Sequence, residues 1–311
     1  MLKYIYSRIC LLITLLIMSN LTDAQSLKVS SGKVERWSNF SSKYVVARNI
    51  DVWLPEDYSI SKHYAVLYMH DGQMLFDSTI TWNHQEWMVD ETITELIKEH
   101  KIKDCIVVGI WHDDRLRHSE YFPQKPFEML TEEQRKYIIS AMRPNGFMVF
   151  NDTVRSDNYL KFIVEELKPF IDTKYATLKD KANTFIAGSS MGGLISMYAI
   201  CEYPNVFGGA GCLSTHWPGI FTLDNNPVPD IFIQYMQTHL PSPKDHLFYF
   251  DYGTVTLDSL YPGIQRKVDE VMKTKGYTSA NWMTKEFPGE DHSEKSWSRR
   301  LNYPLEFLLR K

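Results

Sequence analysis

Short apolar runs alternate along this chain with segments whose apolar residues recur every three or four positions. The runs at 63–72 (HYAVLYMHDG), 105–112 (CIVVGIWH), 184–188 (TFIAG), 207–214 (FGGAGCLS) and 246–253 (HLFYFDYG) are nearly continuous in hydrophobicity. That pattern predicts strands buried on both faces. Two further runs, 43–55 and 280–289, mix β-branched and polar residues and also predict strands, while the polar stretch 28–42 predicts an early strand or loop. Helical spacing appears at 83–100, through Trp87, Met88, Ile93, Leu96 and Ile97, and again at 157–171, 191–203 and 264–276. Gly276 closes the last of these, and the chain end also reads as helical.

Apolar strands alternating with helices predict an α/β fold with a mostly parallel central sheet covered on both faces. Two insertions interrupt the alternation. Residues 113–153 hold a stretch that reads as a helix, TEEQRKYIISAM, and residues 216–243 hold WPGIFTLDNNPVP. Both follow strands. In open α/β sheets, ligands bind beyond the carboxyl ends of the strands, so both insertions are expected at that edge. No internal repeat or low-complexity linker divides the chain, and residues 25–311 read as a single domain.

The N-terminus changes this picture. Lys3 and Arg8 lead into an apolar run from Ile9 to Met18, followed by Thr22 and Ala24 ahead of Gln25. This order of charge, apolar run and small residues predicts a signal peptide over 1–24, and with it a secreted or periplasmic protein. The run is short for a membrane span, which needs roughly 20 apolar residues, so no stable membrane anchor is expected. Cys105, Cys201 and Cys212 remain after cleavage, each in apolar surroundings, and they read as buried thiols. A net charge of −4 without a basic stripe gives no reason to expect a nucleic-acid partner.

Chemistry concentrates in GSSMGG, residues 188–193. It fits G-x-S-x-G with Ser190 at the centre, between an apolar strand and an apolar helix. Such a turn exposes a serine hydroxyl above the sheet edge, and small neighbours let strand and helix approach. Ser189 is the off-centre serine. A serine hydroxyl needs a general base. His292 is expected to be that base, because it alone among the histidines follows the final predicted strand. An acid should orient the imidazole. Asp258 lies on the loop past the strand ending at Gly253 and is preferred over Asp251, within that strand. Glu290 and Asp291 are weaker candidates because they adjoin His292 in sequence. The amide of Met191, with that of Gly72 or Gln73, would serve as the oxyanion hole.

Five stretches in order, YMHDGQMLF (68–76), RHSEYFP (117–123), GSSMGG, YFDYGT (249–254) and GEDHSEKSW (289–297), resemble the esterase family that includes esterase D, feruloyl esterases and enterochelin-esterase-like enzymes. The resemblance runs from about residue 43 to the chain end. It implies an α/β-hydrolase fold and a triad of Ser190, Asp258 and His292. The family often carries its acid nearer the glycine of the GT turn, where this chain has Thr256.

The segment WHDDRLRHSEYFP reads as a substrate-facing loop, in which Arg117 and Glu120 pair over Tyr121. His112, Asp113, Asp114 and His118 lack a second cluster that would complete a metal site, so neither metal nor cofactor is expected. Trp217 and Trp111 are candidates for the substrate pocket. These readings lead to a serine carboxylic-ester hydrolase working through an acyl-enzyme, on small-molecule or carbohydrate-linked esters. An acyltransferase with the same triad and a non-catalytic hydrolase-fold binding protein are the alternatives.

Overall fold

The computed structural model describes residues 27–311, so the leader expected over 1–24 lies outside the described residues. Eight strands form one sheet in the order β1-β2-β4-β3-β5-β6-β7-β8. They are β1 (Lys33–Phe40), β2 (Arg48–Leu54), β3 (Ala65–His70), β4 (Cys105–Ile110), β5 (Thr184–Ser189), β6 (Gly209–Leu213), β7 (Leu247–Gly253) and β8 (Trp282–Phe287). The pairings β1–β2 and β2–β4 are antiparallel. All others are parallel, which gives the mostly parallel sheet of an α/β-hydrolase.

The continuous hydrophobicity of the central strands has a direct cause. Val66 and Tyr68 of β3 and Ile106 and Val108 of β4 join one core cluster, while Leu67, Met69 and Val107 join another. Successive side chains point to opposite faces, so a strand covered on both must be apolar throughout. The second face is closed by α1 (Val89–Lys98), through Ile93 and Leu96, and by the C-terminal helix through Leu305 and Leu308.

On the first face, α2 (Ser156–Lys161) opens into wider π-helical turns over Phe162–Leu167 and resumes as α3 (Lys168–Lys174). It is joined there by α4 (Met191–Glu202), α5 (Val228–His239) and α6 (Pro262–Thr274). α4 is buried from Met191 to Cys201 and has no polar stripe, because other helices cover its outer side. The C-terminal helix is α7 (Asn302–Leu308).

Two expectations change. The helix read over 83–100 begins only at Val89, because Met88 sits at φ 53 and is exposed, while Trp87 is buried ahead of the helix. Residues 216–243 are not an irregular insertion. They carry α5 and form the crossover from β6 to β7. The helix expected within 113–153 is present as Glu132–Ile139, capped by Thr131, whose side chain accepts the Gln134 backbone N–H while Gln134 returns the bond. Cys105, Cys201 and Cys212 are buried free thiols. Among the described residues, no helix is long and apolar enough to cross a membrane.

Candidate active site

Ser190 stands at the junction of β5 and α4 with φ 59 and ψ −120. A non-glycine residue held there stores about 1–3 kcal/mol of backbone strain. Neighbouring bonds hold it in place. The Ser190 N–H donates to the Leu213 carbonyl at 2.9 Å, and the Ser190 carbonyl accepts from Gly193 at 3.1 Å and His216 at 3.1 Å. Gly188 permits the turn, since a Cβ there would lie 3.0 Å from the backbone of Gly192. Both serines line a cavity of about 590 Å³, but Ser189 is buried within β5 while Ser190, on the turn, is half-buried.

His292 lines the same cavity from the loop after β8. Its Nδ1 lies 2.5 Å from Asp258 Oδ1. The backbone N–H of His292 donates to Thr256 Oγ1 at 3.0 Å, so the residue next to the GT turn holds this loop. Ser190 and His292 line the same cavity, and among the described residues no direct hydrogen bond joins their side chains, as is common before substrate enters.

Asp258 is fully buried in the turn Thr256–Leu260. Its Oδ2 accepts from Ser214 Oγ at 2.5 Å and from the Gly253 N–H at 2.6 Å. Burial pushes this carboxyl up, but the His292 bond and charge, with Ser214 and Gly253, outweigh burial and hold it below the ordinary carboxylate range. It is therefore anionic at neutral pH and suited to orienting an imidazolium.

Asp251 has a different place. It is buried in β7, where Arg300 Nη2 at 3.0 Å and Tyr249 Oη at 3.1 Å donate to it. Burial raises its pKa in spite of Arg300. Arg300 also donates to Ser214 Oγ at 2.7 Å, as Trp297 Nε1 does at 2.9 Å. Ser214 thus links the Asp251–Arg300 pair to Asp258, a role its sequence position alone did not suggest. Glu290 pairs with Arg299, and Asp291 is bound by Ser293 and Ser296, so neither meets the His292 ring.

Met191 is the first residue of α4, so its N–H has no intrahelical acceptor. Gly72 and Gln73 open the short turn Gly72–Met74 after β3. Asp71, just ahead of them, is at φ 57 and receives both Nε and Nη2 of Arg117 at 2.7 Å. His112 Nδ1 meets the same carboxylate at 2.8 Å. Burial pushes Asp71 up, but Arg117 and then His112 outweigh it and hold the carboxyl well below its ordinary value. Asp71 was not singled out from sequence. Its signal was the aspartate in HDG, a residue type that tolerates left-handed backbone.

Three expectations about the loop are corrected. Arg117 pairs with Asp71, not with Glu120. Glu120 is fully buried and receives Arg48 of β2 through two bonds of 2.8 and 2.9 Å. Each guanidinium meets a distant carboxylate in fork geometry, which a pairing inside one short helix would not provide. Tyr121 does lie beneath Arg117, 5.2 Å from ring centre to guanidinium. Trp217 is buried beside Phe250, with Nε1 donating to Gln265, and does not line the cavity. Trp111 donates to Asp51 under Arg36. The tryptophans on the cavity are Trp82, Trp87 and Trp297.

His118 donates from Nε2 to the Gly219 carbonyl. Burial lowers its pKa to about 3 and that of His70 likewise to about 3. His216 is also pushed well down, by burial and then by His118 and His292. Among the described residues, no group of three or more His, Cys, Asp or Glu could hold a metal ion.

A family model described as "Putative esterase" matches residues 41–138 and 149–303. An uncharacterised Bacillus subtilis protein, YbbA, is 27% identical over 172 residues, covering 55% of this chain and 58% of that protein. The chain thus spans less than two thirds of that relative's length. Among solved structures, an IroE-like serine hydrolase from Shewanella oneidensis superposes with a TM-score of 0.65 at 19% identity, covering 89% of this chain and 80% of that one. A ferulic acid esterase from Anaeromyces mucronatus gives a TM-score of 0.61 at 19% identity, covering 89% and 91%. At these identities the likeness is one of fold.

Proposed function

The chain belongs to the esterase family, and from that premise we propose that it is a serine carboxylic-ester hydrolase that works through an acyl-enzyme. The observation that carries the reading is the Asp258–His292 pair on the cavity that Ser190 also faces from its strained turn.

The steps follow from the groups present. Ser190 Oγ attacks the ester carbonyl carbon, and its proton passes to His292 Nε2. Asp258, bonded to Nδ1, stabilises the imidazolium as it forms. The carbonyl oxygen takes up negative charge against the Met191 N–H and that of Gly72 or Gln73. The tetrahedral species collapses, the C–O bond to the alcohol breaks, and His292 returns its proton to the departing oxygen. Water then attacks the acyl-serine with His292 as base, releasing the acid and restoring Ser190.

His112 is a second cavity histidine beside a carboxylate, but its Nε2 is already engaged by Asp114 at 3.1 Å and Asp71 is committed to Arg117. It suits a supporting role. We place the substrates among acyl esters of carbohydrates or related natural products, supported by a cavity whose walls mix Trp82, Trp87 and Trp297 with polar groups. We also assign export to residues 1–24, on their sequence pattern alone.

A stopped-flow assay with p-nitrophenyl acetate tests the mechanism. A burst of nitrophenol equal to the enzyme concentration, with an acetyl adduct on the Ser190 peptide, is expected. Turnover without any Ser190 adduct would remove the acyl-enzyme from the account.

A further inference from the structure

The turn at residues 143–146, Arg-Pro-Asn-Gly, reaches the active-site cavity from a hairpin that the family model passes over between residues 138 and 149. Its backbone is closely fixed. Gly146 N–H donates to the Arg143 carbonyl at 2.9 Å, and Arg143 N–H donates to the Phe147 carbonyl at 2.7 Å. Met142 and Met148 pair across it, and Gly146 takes φ +84. This is a proline-initiated turn with glycine in the left-handed position, an arrangement that pins a short hairpin. Arg143 is thereby held at the first position of the turn.

The Arg143 side chain lines the cavity half-buried, its guanidinium 5.6 Å from the centre of the Phe221 ring. Among the described residues, no carboxylate stands within ion-pair distance of it. The other cavity arginine, Arg117, is neutralised by the Asp71 fork. Asp114 and Glu294 also line the cavity, but they bond His112 and Asn83. Burial, and then the charge of Arg117, lower the Arg143 pKa. Phe221 also packs on His216, at 5.4 Å between ring centres. His216 Nε2 is buried on that wall without a hydrogen-bond partner; the Ile220 carbonyl favours a proton there but lies outside hydrogen-bond geometry.

A partly desolvated guanidinium is costly unless an anion completes it, and its planar fork suits a carboxylate. We propose that Arg143 is a specificity-determining residue that seats a carboxylate carried by the substrate, so that the enzyme prefers esters with a free acid group in the acyl or the alcohol part. This rests on the esterase reading above and narrows its substrate class. The hairpin supplies the cation, and the Ser190 chemistry is unchanged.

Two matched pairs of esters test it. One pair is the 4-nitrophenyl monoester of glutaric acid against 4-nitrophenyl pentanoate. The other is the acetate ester of 3-hydroxybenzoic acid against that of 3-hydroxybenzamide. The readout is the ratio of kcat/KM for the anionic to the neutral member, measured on one preparation, so the fraction of active enzyme cancels. In at least one pair, Arg143→Gln should lower that ratio by about tenfold or more, with Arg143→Lys falling between it and the wild type. Ratios unchanged by Arg143→Gln in both pairs, while esters are still turned over, would overturn this inference and leave the esterase reading standing. Absence of turnover of all four esters by the wild type would instead sink the esterase reading, and this inference with it.

Discussion

Asp258 Oδ1 lies 2.5 Å from His292 Nδ1, and the second oxygen of the same carboxylate is held by Ser214 and the Gly253 amide. The acid is therefore fixed from both sides, and the His292 it touches lines the cavity. Replacing Asp258 by Asn keeps the size of the side chain but removes the charge. In serine proteases the equivalent change costs about 10⁴ in kcat. We expect a loss of that order for Asp258→Asn, and a far smaller one for Asp251→Asn. The latter breaks a buried pair with Arg300 and should lower stability by about 3 kcal/mol. Steady-state kinetics and denaturant melts on both variants check this; a larger kcat loss at Asp251 would reverse the two roles.

Asp71 gives the pH dependence a definite sign. Its folded-state pKa lies below that of the unfolded chain, about 3.9. Its contribution is thus fully present above about pH 4 and fades as pH falls through lower values. The stability gap between wild type and Asp71→Asn, measured by urea unfolding, should shrink as pH falls below about 4. A gap that widens below that pH would contradict the assignment.

Glu120 marks the limit of reading a site from local sequence. It is fully buried against Arg48, so Arg48→Met should cost about 3–5 kcal/mol by stranding a charge. The KM of the folded fraction should change little. Thermal melts with active-site titration measure both, and a raised KM without loss of stability would return Glu120 to the substrate loop.

The elements legible in the sequence were those defined by local pattern. Apolar runs gave β3 to β7 because each is buried on both faces, and the G-x-S-x-G turn stood out because strand and helix abut there. The loop position of Asp258 past Gly253 was legible for the same reason. Partners distant in sequence and outside those motifs were not. Arg117 chose Asp71, 46 residues away, over Glu120, three away, because the chain brings β3 and the 117–121 helix together. Trp217 looked like a pocket residue, but nothing local reveals that Gln265 satisfies its indole within the core. The α5 crossover was hidden by DNNPVP, whose turn residues masked the helix that begins within it at Val228. Ser214, the hub beneath the acid, carries no motif at all.

Gly253 ties the two halves of the site together. A Cβ there would lie 2.1 Å from the Glu290 carbonyl and 3.1 Å from Asp258 Oδ2. The obstacle is backbone, which cannot step aside as a flexible side chain would. Gly253→Ala should therefore displace the 290–292 loop and lower kcat by about 10² or more, with the core largely retained. Activity together with near-UV circular dichroism reads both effects. Full activity in this variant would show that the His292 loop does not depend on that approach.

The central claim is that Ser190 is the nucleophile and His292, held by Asp258, its base. The most direct measurement is covalent labelling by a fluorophosphonate, followed by mapping of the modified peptide. The account predicts one label per chain on Ser190 in the wild type, none in Ser190→Ala, retained labelling in Ser189→Ala, and labelling slowed by about 10³ or more in His292→Ala. A label on Ser189, or undiminished labelling of folded Ser190→Ala or His292→Ala, would contradict it.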